Sequence, residues 1–147
     1  MGYFSSLDIS ASGLTAQRLR MDTISQNIAN VGTTRTEKGT PYRRRLVVFE
    51  ERSLPGPFAD YLSQDSRERF TGNGVRVARI IEDSSPLRRV YDPGHPDADK
   101  DGYVMMPNVD VVTEMVNMIS ATRAYEANVT SITATKSMAQ KALDIGK

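Results

Sequence analysis

The sequence predicts an α+β fold, with a long helix at each end and a small β-rich module between them. Three observations predict it. Apolar residues recur at helical spacing over residues 6 to about 31. They do so again over residues 109 to about 145. Between them, β-branched and aromatic residues gather in short runs bounded by Gly, Pro and Asp.

In the first helix Leu7, Leu14, Met21 and Ile28 recur every seven residues, with Ile24 and Val31 three beyond the last two. Ser5 or Ser6 is placed to cap its start, with Asp8 in the first turn, and Gly32, Thr33 and Thr34 end it. Its expected length is about 39 Å. In the middle, Arg45-Leu46-Val47-Val48-Phe49 and Val75-Arg76-Val77-Ala78-Arg79-Ile80-Ile81 read as strands, and Leu87-Arg88-Arg89-Val90-Tyr91 as a third, short one. A polar segment at about 52–73 is expected to be a mobile loop, and Asp92-Pro93-Gly94-His95-Pro96 forces turns.

The second helix carries two seven-residue series. One is Met115, Thr122, Val129, Lys136 and Leu143; the other is Met118, Tyr125, Ile132 and Ala139. Together they make a seam over about four heptads. Asn108 or Asp110 can cap its start, Pro107 lies ahead of the cap, and Gly146 marks its end, giving a length of about 54 Å. This divides the chain into an N-terminal assembly region, 1–35, a middle module, 36–107, and a C-terminal assembly region, 108–147.

Both helices start or finish on the same middle module, so they are expected to pair as an antiparallel coiled coil. Opposed residue numbers then have a constant sum near 141, within about two turns. Ile28 is expected near Val112, Met21 near Ile119 and Leu7 near Thr133. The opening turns of the second helix also hold Val111, Val112, Met115, Val116, Met118 and Ile119, an arc of about 160°. A two-stranded seam needs less than that, so the excess is expected to meet a second partner. The candidate assembly residues are Leu7, Leu14, Met21, Ile24, Ile28, Val112, Met115, Met118, Ile119, Tyr125, Val129, Ile132 and Leu143.

Composition narrows the function classes. The 147 residues are 39% apolar and carry a net charge of +1, so a folded module is feasible and no strong field draws the chain to nucleic acid or an acidic membrane. With no Cys, thiol catalysis, disulfides and thiolate metal sites are excluded. The first residues hold no basic region and no apolar run, so no cleaved signal peptide is expected, and no stretch has the length of a membrane span. Met1-Gly2 with Ser6 fits the short myristoylation pattern, which is too common to carry weight.

Few motifs offer chemistry. Asp97-Ala98-Asp99-Lys100-Asp101-Gly102 matches the first half of an EF-hand loop, but its twelfth position is Asn108 where a bidentate Glu belongs, and Pro93 and Pro96 preclude an entering helix. Arg43-Arg44-Arg45 is split between strand faces and followed by Glu50 and Glu51, unlike a nucleic-acid patch. His95, the one histidine, has no nucleophile or ligand spacing around it. Asn128-Val129-Thr130 is a glycosylation pattern placed mid-helix. No enzyme activity, metal or cofactor is expected.

A resemblance sharpens the reading. Asn27-Ile28-Ala29-Asn30-Val31-Gly32-Thr33-Thr34-Arg35-Thr36 resembles the motif that closes the N-terminal helix of flagellar axial proteins, within which Ala29, Asn30, Thr33 and Thr34 are the matching residues. Arg123-Ala124-Tyr125-Glu126-Ala127-Asn128 is similar to a run shared among rod and hook proteins. Gly39-Thr40-Pro41-Tyr42-Arg43-Arg44-Arg45, Val90-Tyr91-Asp92-Pro93-Gly94-His95-Pro96, Met106-Pro107-Asn108-Val109 and Glu114-Met115-Val116 resemble the proximal-rod members of that family. Only about 52–71 carries no likeness. The resemblance implies a structural subunit of the bacterial flagellar basal-body rod, exported unfolded through the flagellar type III apparatus without a cleaved signal. It implies polymerisation with other rod proteins and with copies of itself, terminal helices forming the inner tube. The alternatives are another axial component, of rod or hook, and a calcium-dependent binding module.

Overall fold

The computed structural model describes residues 3–52 and 73–145. Its order is α1 (Tyr3–Ala29), β1 (Arg45–Glu51), β2 (Val75–Glu82), β3 (Arg88–Tyr91), β4 (Tyr103–Met106) and α2 (Val111–Ile145). The fold is therefore α+β, with two long helices and two small two-stranded sheets, β1-β2 and β3-β4. The expected mobile loop falls almost wholly outside the described residues.

The described residues group into two compact units. The end unit takes residues 3–18, 49–52, 73–78 and 122–145; the hairpin unit takes 19–48 and 79–121. Each helix contributes to both.

In the end unit, Ser10, Gly13, Ala16 and Thr135 are the buried positions. All are small, so helix backbones can approach closely. A Cβ added to Gly13 would lie 2.9 Å from Asn128 Oδ1, and the Oγ atoms of Ser10 and Ser131 stand 3.4 Å apart. A mid-helix glycine ordinarily costs about 1 kcal/mol relative to alanine, and here the close approach to Asn128 uses its missing side chain. Gly74, at φ +91, is tighter still: a Cβ there would lie 2.2 Å from Ser12 Oγ. Ser12 Oγ in turn accepts from the Val75 backbone N–H at 3.1 Å, holding the start of β2 to α1.

The hairpin unit has the larger buried side chains: Ile24, Tyr42, Val104, Pro107, Val109 and Glu114, with Asn27 and Ala121. In β3-β4, Val90 pairs with Val104 on the inner face, whereas Arg89 opposite Met105 and Tyr91 opposite Tyr103 face outward. The Tyr91 and Tyr103 rings meet edge-on at 5.2 Å, and the Arg89 guanidinium lies 4.0 Å from the Tyr103 ring centre. Gly102, at φ +78, is the turn residue just before β4, where a Cβ would meet the Tyr91 ring at 2.9 Å.

Several boundaries differ from expectation. α1 starts at Tyr3, so Ser5 and Ser6 lie inside the helix rather than at its cap. It ends at Ala29, and a turn closes it: Val31 N–H donates to Ile28 O and Thr33 N–H to Asn30 O. Strand β4 was not expected, because Tyr103–Met106 is four residues long and sits between a turn and a proline. α2 starts where Asp110 caps it, accepting the Thr113 N–H at 3.0 Å and its hydroxyl as well.

Candidate functional site

Two features stand out, one buried and one exposed. The buried one is a polar cluster in the hairpin unit that joins the last turns of α1, the start of β1 and the first turn of α2. Asn27 is 0% exposed and Glu114 is 1% exposed. Asn27 Nδ2 donates to Glu114 Oε2 at 2.8 Å and to Arg45 O at 2.9 Å. Asn27 Oδ1 accepts from the Tyr42 hydroxyl at 3.0 Å and from the Arg45 N–H at 2.9 Å. All four hydrogen-bonding capacities of the amide are thus used.

Glu114 is held equally firmly. Arg44 reaches its Oε1 through Nε at 2.9 Å and through a terminal nitrogen at 2.6 Å. The remaining charge of Arg44 faces Asp83 at 3.7 Å. Asn108 closes the edge: its Oδ1 accepts the Arg44 N–H at 2.9 Å, and its Nδ2 donates to Asp83 O at 3.2 Å. Burial pushes the Tyr42 hydroxyl above its ordinary pKa, against the lowering pull of the Arg45 guanidinium. Hydrogen bonds from the Ser85 hydroxyl and N–H hold the Asp83 carboxyl below the usual range. A buried carboxylate is stable here because every oxygen is paired.

The exposed feature is the outward side of α2. In the hairpin unit Val112 is 69%, Met115 55%, Val116 61% and Ile119 53% exposed, at spacings of three and four residues. In the end unit Val129, Met138, Leu143 and Ile145 are exposed as well. Single exposed apolar residues are ordinary on a protein surface; a row at helical spacing is not.

The candidate assembly residues therefore divide. Ile24 is buried. Leu7, Leu14, Met21, Ile28, Met118, Tyr125 and Ile132 are half-buried. Val112, Met115, Ile119, Val129 and Leu143 are exposed. On α2 the deepest positions, Glu114, Ala121 and Thr135, each lie one residue before a member of the Met115 series. The inward line is thus rotated from the expected seam, because a buried ion pair and small residues occupy it and the larger side chains fall to its flanks.

The motif residues have structural partners. Asn30 Nδ2 donates to Gln26 O, and its Oδ1 accepts from the Thr33 hydroxyl, closing α1. The Thr34 hydroxyl donates to Asp97 at 2.8 Å, and Arg35 pairs with the same carboxylate. In α2, Asn128 Nδ2 donates back to Ala124 O; Ala124 and Tyr125 are half-buried, whereas Arg123, Glu126 and Ala127 are exposed. The acidic turn is engaged piecemeal: Asp99 accepts the Lys100 N–H and Asp101 pairs with Arg89. His95 Nδ1 accepts the Asp97 N–H. Of the Arg43–Arg45 run, Arg43 donates to Asp83 O and Ser85 O, and Arg45 stacks on the Tyr42 ring.

The partnership of Asn27 with Glu114 was not foreseen from sequence. Both sit in segments that carry the family resemblance, and the one available signal is a polar residue at a helix position where apolar neighbours predict burial.

Comparison with known proteins follows these features. Residues 7–35 match the family described as flagella basal body rod protein, and residues 100–145 match the flagellar basal body rod FlgEFG protein C-terminal family. The chain is 54% identical to the flagellar basal-body rod protein FlgC of Borreliella burgdorferi, over 99% of this chain and 98% of that protein. It is 51% identical to FlgC of Bacillus subtilis and 42% identical to FlgC of Salmonella typhimurium, each over the full length of both chains. Through α1, the middle strands and α2 alike, the chain belongs to the FlgC family of flagellar basal-body rod proteins.

Proposed function

We propose that this structural subunit of the flagellar basal-body rod forms part of the proximal drive shaft by polymerising through α1 and α2. The observation that carries the reading is the apolar row Val112, Met115, Val116 and Ile119, left outside on a helix whose deepest positions, Glu114, Ala121 and Thr135, are polar or small. Such a row costs free energy while water covers it, and burial against another surface recovers that cost.

The two helices pair antiparallel as a coiled coil within one subunit in this reading. Three contacts support it. Ser10 with Ser131 and Gly13 with Asn128 meet in the end unit, and Asn27 with Glu114 meets in the hairpin unit. In each pair the residue numbers add to 141, the constant expected of opposed antiparallel helices. Residues 1–35 and 108–147 then serve as assembly regions and 36–107 as the middle module. Leu7, Leu14, Met21, Ile24 and Ile28 face the pairing side with Met118, Tyr125 and Ile132. Val112, Met115, Ile119, Val129 and Leu143 meet other subunits.

The partners are other rod proteins and further copies of this chain, with the flagellar export apparatus met in transit. No helix among the described residues is long and apolar enough to cross a membrane. We read the role as non-catalytic: Asn27, Tyr42, Arg44 and Glu114 satisfy one another, which suits a lock better than a reactive centre.

Val116→Glu tests the reading. Val116 is preferred to Met118, whose half-burial would let a charge disturb the subunit itself. The expected outcome is loss of rods and motility with unchanged helix content in the purified chain. Normal motility would show that this face meets no partner.

A further inference from the structure

We propose that Glu114, clamped by Arg44, sets the register in which α1 and α2 pair, so that the bond to Asn27 selects one alignment among several of similar packing. The inference rests on the antiparallel reading above and adds what fixes its alignment.

The inward line poorly distinguishes its own alignments. Most of its deep positions are short side chains, Ser10, Gly13, Ala16 and Thr23 on α1 and Ala121, Asn128 and Thr135 on α2; the large apolar one, Ile24, would meet only Ala124 or Asp110 after a slip. A slip of one heptad along α2 would set Gly13 opposite Thr135 or Ala121, and Ser10 opposite Met138 or Ala124. Neither places two bulky residues together. Seven-residue spacing on both helices keeps the slipped alignments in phase, so hydrophobic patterning cannot reject them.

The polar cluster can reject them. Asn27 is fixed from outside the helix pair: the Arg45 N–H and C=O and the Tyr42 hydroxyl hold its amide on the β1 side. One Nδ2 hydrogen is left, and it points at Glu114. Glu114 is likewise fixed by two bonds from Arg44, whose own backbone is tied to Asn108. A slip by one heptad would present Asn27 with Ala121 or Pro107 and leave Glu114 facing no amide. Both groups are almost wholly buried, so the loss is not made good by water. A single buried polar pair specifying alignment is the best-attested use of such groups in helix pairs.

The test uses the full-length chain, which has no native Cys. Cysteines are placed as S10C with S131C for the observed alignment, and as S10C with M138C or with A124C for the two slips. Cross-links formed in cells by mild oxidation are read within single chains by gel mobility. In the parent chain S10C/S131C cross-links in strong preference. The double change R44M/E114M removes both charges while keeping volume, and leaves the Asn27 bonds to Arg45 and Tyr42 in place. It is expected to lower the ratio of S131C to slipped cross-links by roughly tenfold or more. E114Q keeps an acceptor for Asn27 and is expected to preserve the preference.

An unchanged ratio in R44M/E114M would overturn the proposal. Loss of its helical circular dichroism would overturn it too, by making the cluster a condition of folding rather than a choice of alignment. Failure of S10C/S131C to cross-link in the parent chain would instead refute the antiparallel pairing itself.

Discussion

Asn27→Ala removes one side chain and disturbs four partners, which makes its cost calculable from the geometry. Truncation deletes the acceptor of the Tyr42 hydroxyl and of the Arg45 N–H, and the donor to Arg45 O and to Glu114 Oε2. Each buried polar group left unpaired costs about 1–3 kcal/mol. The vacated amide volume is polar-lined and about the size of a water molecule, so one water can restore two or three bonds. Two groups then remain poorly paired, and the expected loss is about 2–6 kcal/mol. Against a total stability of about 5–15 kcal/mol, that is a large fraction. At about 2–4 °C per kcal/mol for a chain of this size, the thermal midpoint falls by about 4–24 °C. Urea unfolding of the purified chain, followed by circular dichroism at the helix band, measures it. A loss below about 1 kcal/mol would refute the reasoning, because the cluster would then contribute no more than one exposed hydrogen bond.

Other outcomes follow from single contacts. Gly13→Ala gains about 1 kcal/mol of helix propensity but drives a methyl to 2.9 Å from Asn128 Oδ1, so it is expected to be neutral or destabilising alone. Combined with Asn128→Ala it is expected to stabilise, and a double-mutant cycle in thermal melts reads the coupling. Asp110 is held below the ordinary carboxylate pKa first by the Thr113 hydroxyl and then by the Thr113 N–H, and Asp83 likewise by Ser85. Because both folded values are depressed, their contribution is present above the unfolded value of about 3.9 and is lost as pH falls through the lowered folded values. Asp110→Asn keeps a capping oxygen and is expected to flatten the acid limb of a stability–pH curve while leaving the neutral plateau nearly unchanged. A wild-type acid limb in that variant would show that Asp110 does not contribute to it.

The elements were legible where a period ran long. Twenty-seven residues of α1 and 35 of α2 repeat their pattern several times, so neither helix could be mistaken, and β1 and β2 declared themselves through Val47-Val48-Phe49 and Val75, Val77, Ile80 and Ile81. β4 escaped because four residues give two alternations at most, and its inward pair, Val90 with Val104, is separated by fourteen turn-rich positions. The inward line of the helices escaped for a different reason. Sequence reading seeks the largest apolar side chains, whereas the buried positions here include Gly13, Ala16 and Ala121. Of the candidate residues, the exposed Val112, Met115, Val116 and Ile119 all fall within the apolar arc read from the sequence. The Asn27–Glu114 contact was not, since two polar residues far apart in sequence announce no pairing.

If the exposed row meets other subunits as proposed, its size also bears on how assembly proceeds. Fully burying a Val, Met or Ile side chain is worth about 1.5–3 kcal/mol, and Val112, Met115, Val116 and Ile119 are each a little over half exposed. Covering the row therefore yields about 4–7 kcal/mol. Bringing two proteins together costs about 4–15 kcal/mol in lost freedom before any contact is counted. One such contact roughly breaks even, so a lone pair of subunits gains little. Once a subunit touches several neighbours, the freedom is lost once while the apolar gain repeats, and growth onto an existing end outcompetes association in solution. A more apolar inner line would have strengthened the subunit alone. It would also have offered unassembled chains a second greasy surface whenever the helices parted. On the proposed reading, alignment is left to the hydrogen bonds of the buried cluster and assembly to the hydrophobic effect on the exposed row.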